Sequence, residues 1–275
     1  MTVLHEPGAR SRWDLHMHTT LSDGALEPVE VLRRAAAAGL DVVAITDHDL
    51  GPVLEAGEHS MEGNSIHLLH AAEMTTLHEE CELHVLVYFA PSMPEEFRSF
   101  CRLRVQARAE RYERIRQSLG LEGVEEACDA ARRGERSLTR HHIARSLVAC
   151  GHCGSIDEAF KTVLSRSSVP VEGVEIAALL ELARDCGGVT SWAHPIPEQA
   201  QRWAGDFSKM GLHALEGARP RQGRMVRNGM KRLAKKHGLA MTGGSDWHGW
   251  GSADLGDFAV DGQQVFSFAR LLVAA

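Results

Sequence analysis

Short apolar runs alternate along the chain with segments in which apolar residues recur at helical spacing. Seven of the runs have the length of β-strands. They cover residues 13–18, 41–46, 66–73, 82–89, 189–193, 212–216 and 239–243. Strands that alternate with amphipathic helices are typical of βαβ units, so the pattern predicts an α/β fold with a mostly parallel sheet.

The first connection between strands carries the clearest helix signals. Pro28 suits a first helical turn, VEVLRRAAAAG has an apolar stripe, and Gly39 supplies a stop. We therefore expect a crossover helix between the first two strands.

The pattern changes from Pro94 to about Pro170, where the sequence is arginine-rich, helical in spacing and without a good strand. We interpret this stretch as a helical substrate-binding insertion, because barrel enzymes carry substrate loops between their strands. A chain of 275 residues suits one α/β barrel with such an insertion. The predicted parts are 1–93 and 172–275 for the barrel and 94–171 for the insertion. The segments after Gly256 would close the fold.

Composition narrows the class of protein. Hydrophobic residues are 44% and charged residues 24% of the chain, as in ordinary globular proteins. No apolar run approaches the roughly 18 residues of a membrane span, and the N-terminus does not resemble a signal peptide. We therefore expect a cytoplasmic protein with no membrane partner, and nothing in the sequence indicates an obligate protein partner. The six cysteines, which include Cys128, are scattered and favour free thiols.

Charge is unevenly distributed although the net charge is −7. Residues 98–145 contain twelve arginines and seven acidic residues, and residues 219–236 contain eight basic residues and no acidic one. Two basic segments in an acidic protein indicate a local anion site more than a nucleic-acid coat.

Histidines and carboxylates lie at the ends of most of the predicted strands. His16 and His18 project to one side of their strand, since alternate residues share a face. Such a pair can chelate zinc, iron or manganese, although an isolated pair is more often two ordinary histidines. The same residue types recur at other strand ends as Asp47, His48, Glu73, His84, His194, Asp246 and His248. Because barrel enzymes gather catalytic groups at that face, the pattern predicts a metal site.

Six segments carry these residues, in the order DLHMHTTLSDG, AITDHD, the Glu73 segment, the ELH strand, AHP and GGSDWH. In this order they resemble the motifs of the polymerase and histidinol phosphatase (PHP) superfamily of metal-dependent phosphoesterases. The resemblance covers most of the chain. It implies a distorted (β/α)7 barrel with an inserted helical subdomain, and the independent count of seven strands agrees with it.

The resemblance also implies two or three divalent ions, which would be manganese, iron or zinc. The first ion would be held by His16, His18, Glu73 and Asp246, the second by Glu73, His84 and His194, and the third by Asp23, His48 and His248. Asp23 stands where some relatives carry histidine, which would make the third site harder. Asp47 would either accept a hydrogen bond from an imidazole or form a strand-end turn. Such ions suit phosphate ester hydrolysis by a metal-bound hydroxide, with no serine or cysteine nucleophile.

The segment LTRHHIARSLVACG resembles one branch of the family, which includes 3',5'-nucleoside bisphosphate phosphatases and a 5'-to-3' exoribonuclease. The matching positions are Arg140, His142 and Arg145, which would contact a phosphate that is not cleaved. Alternatively, Arg145 is a solvated helix residue and His142 packs beneath it. The expected reaction removes the 3'-phosphate of a small nucleotide such as pAp, giving AMP. The alternative is exonuclease action on short 5'-phosphorylated RNA, and the aromatic content of 5% favours the mononucleotide.

Where this branch has a polar loop after the sixth strand, the chain reads EGARPRQGRMVRNGMKRLAKK. Arg219, Arg221 and Arg224 therefore either favour a more anionic substrate or form an ordinary basic helix surface. We include Arg219 among the candidate substrate contacts.

Two hypotheses that assign the chain to other functional classes, a redox protein and a regulatory domain, have less support from the sequence. Cys150 and Cys153 form a C-x-x-C motif, but a redox motif needs a strand before it, whereas here an apparent helix runs into it and Gly151 resembles a stop. A metal-binding regulatory domain without catalysis would have lost ligands, and none is lost.

Overall fold

The computed structural model describes residues 8–121, 133–166 and 169–275. Its strands are β1 (Arg12–Met17), β2 (Val42–Ile45), β3 (Gly57–Met61), β4 (Asn64–His78), β5 (Cys81–Phe89), β6 (Val174–Glu175), β7 (Val189–Trp192), β8 (Ala214–Ala218), β9 (Ala240–Gly243) and β10 (Val260–Asp261). The helices are α1 (Pro28–Ala37), α2 (Glu95–Ser118), α3 (Arg140–Ala149), α4 (Ile156–Thr162), α5 (Ile176–Asp185), α6 (Pro197–Met210), α7 (Arg224–Lys236) and α8 (Phe266–Ala274). All seven expected strands are confirmed, and so is the crossover helix, which begins at Pro28 and is followed by Gly39 at φ 72°.

The strands form one sheet in the order β10-β1-β2-β4-β5-β7-β8-β9, with β3 and β6 also paired to β4. Backbone bonds from His18 N to Trp247 O and from Asp246 N to His16 O, both 2.9 Å, join β1 to the segment after β9. The sheet is therefore a nearly closed barrel, as the α/β prediction required.

The expectation of a mostly parallel sheet is wrong around β5. The pairs β1–β2, β2–β4, β7–β8 and β8–β9 are parallel, but β5 is antiparallel to both β4 and β7. The cause is local: β4 is longer than predicted and turns directly into β5 through Glu79 and Glu80, both with positive φ. A second tight turn at Glu62–Gly63 pairs β4 with β3, a strand that the sequence analysis missed.

Alternation along β4 and β5 places the site above an apolar layer. Glu73 pairs with Leu86 in the β4–β5 register, so the two residues lie on the same face. Ala71 and Tyr88, which pair with each other, are buried on that face in a cluster with Phe268 of α8. The polar candidate ligands and the apolar core side chains therefore form successive layers inside the same barrel.

Helices α2 to α4 pack on one another through a separate apolar cluster that includes Val105, Tyr112, Ile143 and Leu147. All four side chains are at most 2% exposed. The helical character expected for this region is present in its described residues, while the proposed domain boundaries stay a prediction. None of the helices in the described ranges is long and apolar enough to cross a membrane.

Candidate metal centre and adjoining cavities

The end of β1 places two imidazoles in direct contact. His16 and His18 are both fully buried, and their Nε2 atoms are 3.1 Å apart. Both Nε2 atoms also approach Glu73 Oε2, at 3.3 and 3.2 Å, and Asp246 Oδ1, at 3.5 and 3.4 Å. The four side chains that the resemblance assigns to a first ion thus converge on one point.

Glu73 lies at the middle of the histidine cluster and is 1% exposed. Its Oε1 is 3.0 Å from His84 Nδ1 and 3.0 Å from His194 Nε2, and its Oε2 is 3.0 Å from His48 Nδ1. A carboxylate with imidazoles around both of its oxygens occupies a bridging position.

Asp23 gathers a further group of side chains. Its Oδ2 is 3.5 Å from His48 Nε2, and its Oδ1 is 3.3 Å from His248 Nε2 and 3.7 Å from His18 Nδ1. The three residues expected at a third ion are therefore together, and His18 adjoins them.

These donor atoms fit divalent ions. Three overlapping groups have ligand atoms close enough to hold a metal: His16, His18 and Glu73; His48, Glu73 and His84; and His18, Asp23, His48 and His248. Within the described part of the chain, the buried atoms Glu73 Oε2, Asp23 Oδ1 and His48 Nδ1 have close polar neighbours but no well-aligned hydrogen bond. Leaving such atoms unpaired is costly, whereas nitrogen and carboxylate oxygen are good ligands for zinc, iron and manganese.

The electrostatics of the cluster favour the metal-binding form of its central carboxylate but not of every histidine, because neighbouring carboxylates outweigh burial and raise the pKa of His18 and of His84 to about 10. Burial alone would raise the pKa of Glu73, but the imidazoles of His48, His16 and His84 hold that pKa well below its usual range. Burial lowers the pKa of His48 to about 3. Glu73 is therefore an ionised carboxylate, and the pKa values of the surrounding imidazoles are shifted in opposite directions, downward for His48 and upward for His18 and His84.

Glu216 is a functional candidate that the sequence analysis missed. Its Oε1 is 3.0 Å from His16 Nδ1, its Oε2 accepts a hydrogen bond of 2.7 Å from His194 N, and it is 1% exposed. It therefore orients one imidazole and the backbone of another. Its place at the end of the sixth expected strand was the available signal.

The backbone around the site is closely packed. A Cβ added to Gly244 would lie 2.3 Å from the Cβ of His16, so only glycine fits beside this ligand. Asp246 and His194 have φ values of 52° and 32°, a region that side chains other than glycine seldom adopt. Such conformations are typical of residues that surrounding structure holds for a function.

Asp47 does not contact an imidazole among the described residues. Its Oδ1 accepts from Thr19 N at 2.8 Å and its Oδ2 from Thr19 Oγ1 at 2.7 Å, while Ser22 Oγ also donates to it. The structure therefore shows neither the expected imidazole contact nor a strand-end turn made by this carboxylate, because Asp47 instead holds the loop after β1 that carries Asp23.

A cavity of about 290 Å³ adjoins the histidine cluster. Asp23, His48, His84 and His248 form its wall on the side of the barrel. The remaining wall is formed mainly by helices α2 to α4 and by the loop after β9, with Arg108, Arg111, Arg140, His141, Phe160 and Trp250. The helical region thus lies directly over the candidate ligands.

Three arginines line this cavity, and one of them is neutralised. Arg108 donates from Nε to Asp49 Oδ2 at 2.5 Å and from Nη2 to Thr75 Oγ1 at 2.6 Å. Arg111 donates from Nε to Pro170 O at 2.8 Å, and burial, together with Arg140 and Arg108, lowers the pKa of Arg111 although Glu82 opposes this. Within the ranges that the structure describes, neither Arg111 nor Arg140 forms an ion pair.

Carboxylates also reach the cavity, but they have other partners. Glu82 Oε1 is 3.2 Å from His84 Nε2, and Glu172 pairs with Arg114. Among the described residues, the guanidinium groups of Arg111 and Arg140 therefore face the cavity without an ion-pair partner, which suits a phosphate. Arg108 and Arg111 were not singled out from the sequence.

The other expected substrate contacts lie elsewhere. His142 Nδ1 accepts from Thr139 N at 3.1 Å and caps α3, while the adjacent His141 lines the cavity. Arg145 Cζ lies 4.5 Å from the centre of the Trp250 ring. Arg219 directly follows β8, lines neither of the two cavities beside the cluster, and its buried Nε has no hydrogen-bond partner among the described residues.

A second cavity, of about 490 Å³, lies on the other side of Asp246, His248 and Trp250 and includes Arg221. Its presence means that the histidine cluster borders two spaces. Arg224 begins α7 and is exposed, as the basic-surface interpretation of this segment required.

The C-x-x-C motif has no redox geometry. Cys150 follows α3 directly and is exposed, Cys153 is buried, and both are free, as are Cys81, Cys101 and Cys186. Cys128 lies outside the described residues.

Comparison with known proteins places the chain in a family. The model of the PHP domain family matches residues 14–166. The chain is 30% identical over 250 residues to the 5'-3' exoribonuclease Rnm of Escherichia coli, covering 86% of this chain and 85% of that protein. It is 28% identical to a 3',5'-nucleoside bisphosphate phosphatase of Chromobacterium violaceum, and the match covers 88% of this chain and 90% of that protein. A solved structure from Bifidobacterium adolescentis, described as that of a metal-dependent phosphoesterase, matches the fold with a TM-score of 0.76 at 26% identity. The match covers 97% of this chain and 98% of that one.

The chain therefore belongs to the PHP domain family, and it is a metal-dependent phosphoesterase. The resemblance read from the strand-end motifs is confirmed, and so is the prediction of a hydrolase.

Proposed function

We propose that the protein removes the 3'-phosphate of a nucleoside 3',5'-bisphosphate such as pAp. The observation that carries the proposal is the cavity of about 290 Å³, which has candidate metal ligands on one wall and the unpaired Arg111 and Arg140 on another. A phosphate at each side of one nucleotide would match this arrangement.

The ligands in this proposal are those that the resemblance implied, with His18 and His48 each adjoining two groups. Divalent ions, when bound, would polarise the phosphoryl oxygens and activate water for phosphate ester hydrolysis. Glu73 would orient neighbouring ions through its two oxygens, and Glu216 would hold the His16 ring in place. The identity and number of the ions belong to the proposal, with manganese, iron and zinc as candidates.

Arg111 and Arg140 would bind the phosphate that does not react. A guanidinium binds phosphate through two parallel hydrogen bonds, so it fixes orientation as well as charge. His142 would act indirectly, because it caps the helix on which Arg140 is the first residue. The walls of the cavity would limit the access of water to the reacting group.

Exonuclease action on short 5'-phosphorylated RNA is the second candidate, and a specific observation favours it. The second cavity shares Asp246, His248 and Trp250 with the site, so a chain attached to the 3'-phosphate would have space beyond the metals. The exoribonuclease relative, at 30% identity, is more similar to this chain than the phosphatase relative, at 28%.

The test is phosphate or nucleotide release from pAp, AMP, cyclic AMP, histidinol phosphate and a 5'-phosphorylated oligoribonucleotide, each with manganese, iron or zinc. We expect pAp to give the highest kcat/KM and AMP to be hydrolysed poorly. A higher kcat/KM for the oligoribonucleotide would replace the proposal by the exonuclease. Efficient hydrolysis of histidinol phosphate but not of pAp would overturn both. The cytoplasmic location stays a prediction.

A further inference from the structure

Trp250 stands between the two cavities and lines both of them. Its side chain remains 47% exposed, although Trp247, three residues earlier, is 8% exposed. A half-exposed tryptophan at the mouth of a catalytic cavity leaves a large apolar surface in water, and such a surface is typical of a place where a ligand binds.

The ring is held in position by three contacts. Its Nε1 donates to the backbone oxygen of Asp23 at 2.5 Å. The guanidinium of Arg145 lies over the ring at 4.5 Å from its centre, and the His141 ring lies beside it at 5.4 Å with a tilt of 33°. The indole N–H and part of the ring surface are thus occupied.

Because the side chain is still 47% exposed, a large part of its ring surface remains open to solvent. A flat, preorganised aromatic surface beside the phosphate-binding arginines suits a nucleobase, since every base has a π-face and stacking tolerates any base. The cavity provides a second aromatic ring, Phe160, with Arg140 Cζ at 5.8 Å from its centre. Trp250 and Phe160 therefore line the same cavity as the candidate metal ligands and Arg140.

We propose that Trp250 stacks the nucleobase of the substrate and so makes the enzyme prefer nucleotides to sugar phosphates without selecting one base. The inference rests on the proposed function, because it uses a nucleotide as the substrate. It also explains how Arg145 contributes: its guanidinium supports the ring from behind and does not contact the phosphate.

A structural alternative predicts different behaviour. The bond from Nε1 to Asp23 O ties Trp250 to a candidate metal ligand, so its removal could disturb the metal centre. Phenylalanine at position 250 lacks this bond but retains a stacking surface, whereas alanine lacks both. The two variants therefore separate stacking from support of the metal centre.

The experiment compares adenosine 3',5'-bisphosphate with ribose 3,5-bisphosphate, which has both phosphates and no base. For Trp250→Ala we expect KM for the nucleotide to rise roughly 5- to 150-fold, the range of a lost base stack, and to rise at least fivefold less for the ribose compound. Trp250→Phe should retain most of the wild-type preference for the nucleotide over the ribose compound, measured as the ratio of their KM values. Phe266→Ala, which removes an aromatic side chain 40% exposed on α8, is the matched control and should change neither KM.

Equal losses on the two substrates in Trp250→Ala would overturn the inference, as would a Trp250→Phe variant as impaired as Trp250→Ala. Calorimetric binding of AMP and ribose 5-phosphate separates this result from failure of the proposed function. The wild type could hydrolyse no bisphosphate and still bind AMP more tightly than ribose 5-phosphate, with this difference lost in Trp250→Ala. The stacking site would then be supported and the proposed reaction would be wrong. If the wild type hydrolyses pAp, and the ratio of the Kd values for ribose 5-phosphate and AMP is the same in the wild type and in Trp250→Ala, only the stacking site is wrong.

Discussion

Replacement of Arg140 by alanine removes one of the two uncompensated cations of the cavity. Arg140 is the first residue of α3, lies against the ring of Phe160, and is exposed on the wall opposite the candidate metal ligands. It has no ion-pair partner among the described residues, so no carboxylate is left behind when it is removed. We expect the free energy of unfolding to change by no more than about 0.5 kcal/mol, as at an ordinary surface position.

The effect on catalysis should be larger and should depend on the substrate. A hydrogen bond to a charged group contributes about 1.5–3 kcal/mol. At 1.36 kcal/mol for each tenfold change, kcat/KM for pAp should fall roughly 10- to 150-fold. Part of the loss should appear in kcat, because binding energy at the distant phosphate orients the reacting one.

The assay is phosphate release from pAp and from 3'-AMP, which keeps the reacting phosphate and lacks the 5'-phosphate. Both are measured at saturating metal for the wild type, Arg140→Ala and Arg140→Lys. The lysine variant keeps the charge but not the planar pair of donors, so we expect it to recover only part of the loss. Arg102→Ala, on the exposed side of α2, is the matched control, since Arg102 pairs with Glu95 and does not line the cavity.

The informative quantity is the loss on pAp divided by the loss on 3'-AMP. A ratio near one would show that Arg140 acts on the reacting phosphate or on the fold, and the assignment of a second-phosphate site to this wall would then be refuted.

Three further predictions concern the metal centre and the cysteines. Glu73→Gln should lower turnover by at least roughly 100-fold, since a neutral amide cannot serve as a bridging carboxylate; near-normal turnover with full metal content, measured by elemental analysis, would contradict this. Glu216→Gln should lower metal affinity or turnover roughly 10- to 100-fold by loosening His16, and an unchanged metal titration and rate would show that Glu216 is only structural. Cys150→Ser with Cys153→Ser should leave phosphate release within about twofold of the wild type, and a thiol–disulfide exchange activity lost in that double variant would revive the redox hypothesis.

Local spacing was enough to predict seven of the described strands and most of the candidate metal ligands. Alternation along a strand puts His16 and His18 on one face whatever surrounds them, and the ends of strands in a barrel meet at one edge. The positions of Glu73 and Asp246 at the ends of predicted strands, and of His84 on the fourth, could therefore be interpreted before any fold was known, although β4 continues past Glu73 to His78. The chain order of the motifs then connected them to a family.

Other features needed the tertiary structure because they depend on residues far apart in the chain. The role of Glu216 follows from its distance to His16, 200 positions earlier, and the role of Trp250 from its bond to Asp23, 227 positions earlier. His141 and not His142 faces the cavity because the cap at Thr139 sets the rotation of α3. Backbone geometry determines which residues share a face, whereas only packing between distant segments determines what that face meets.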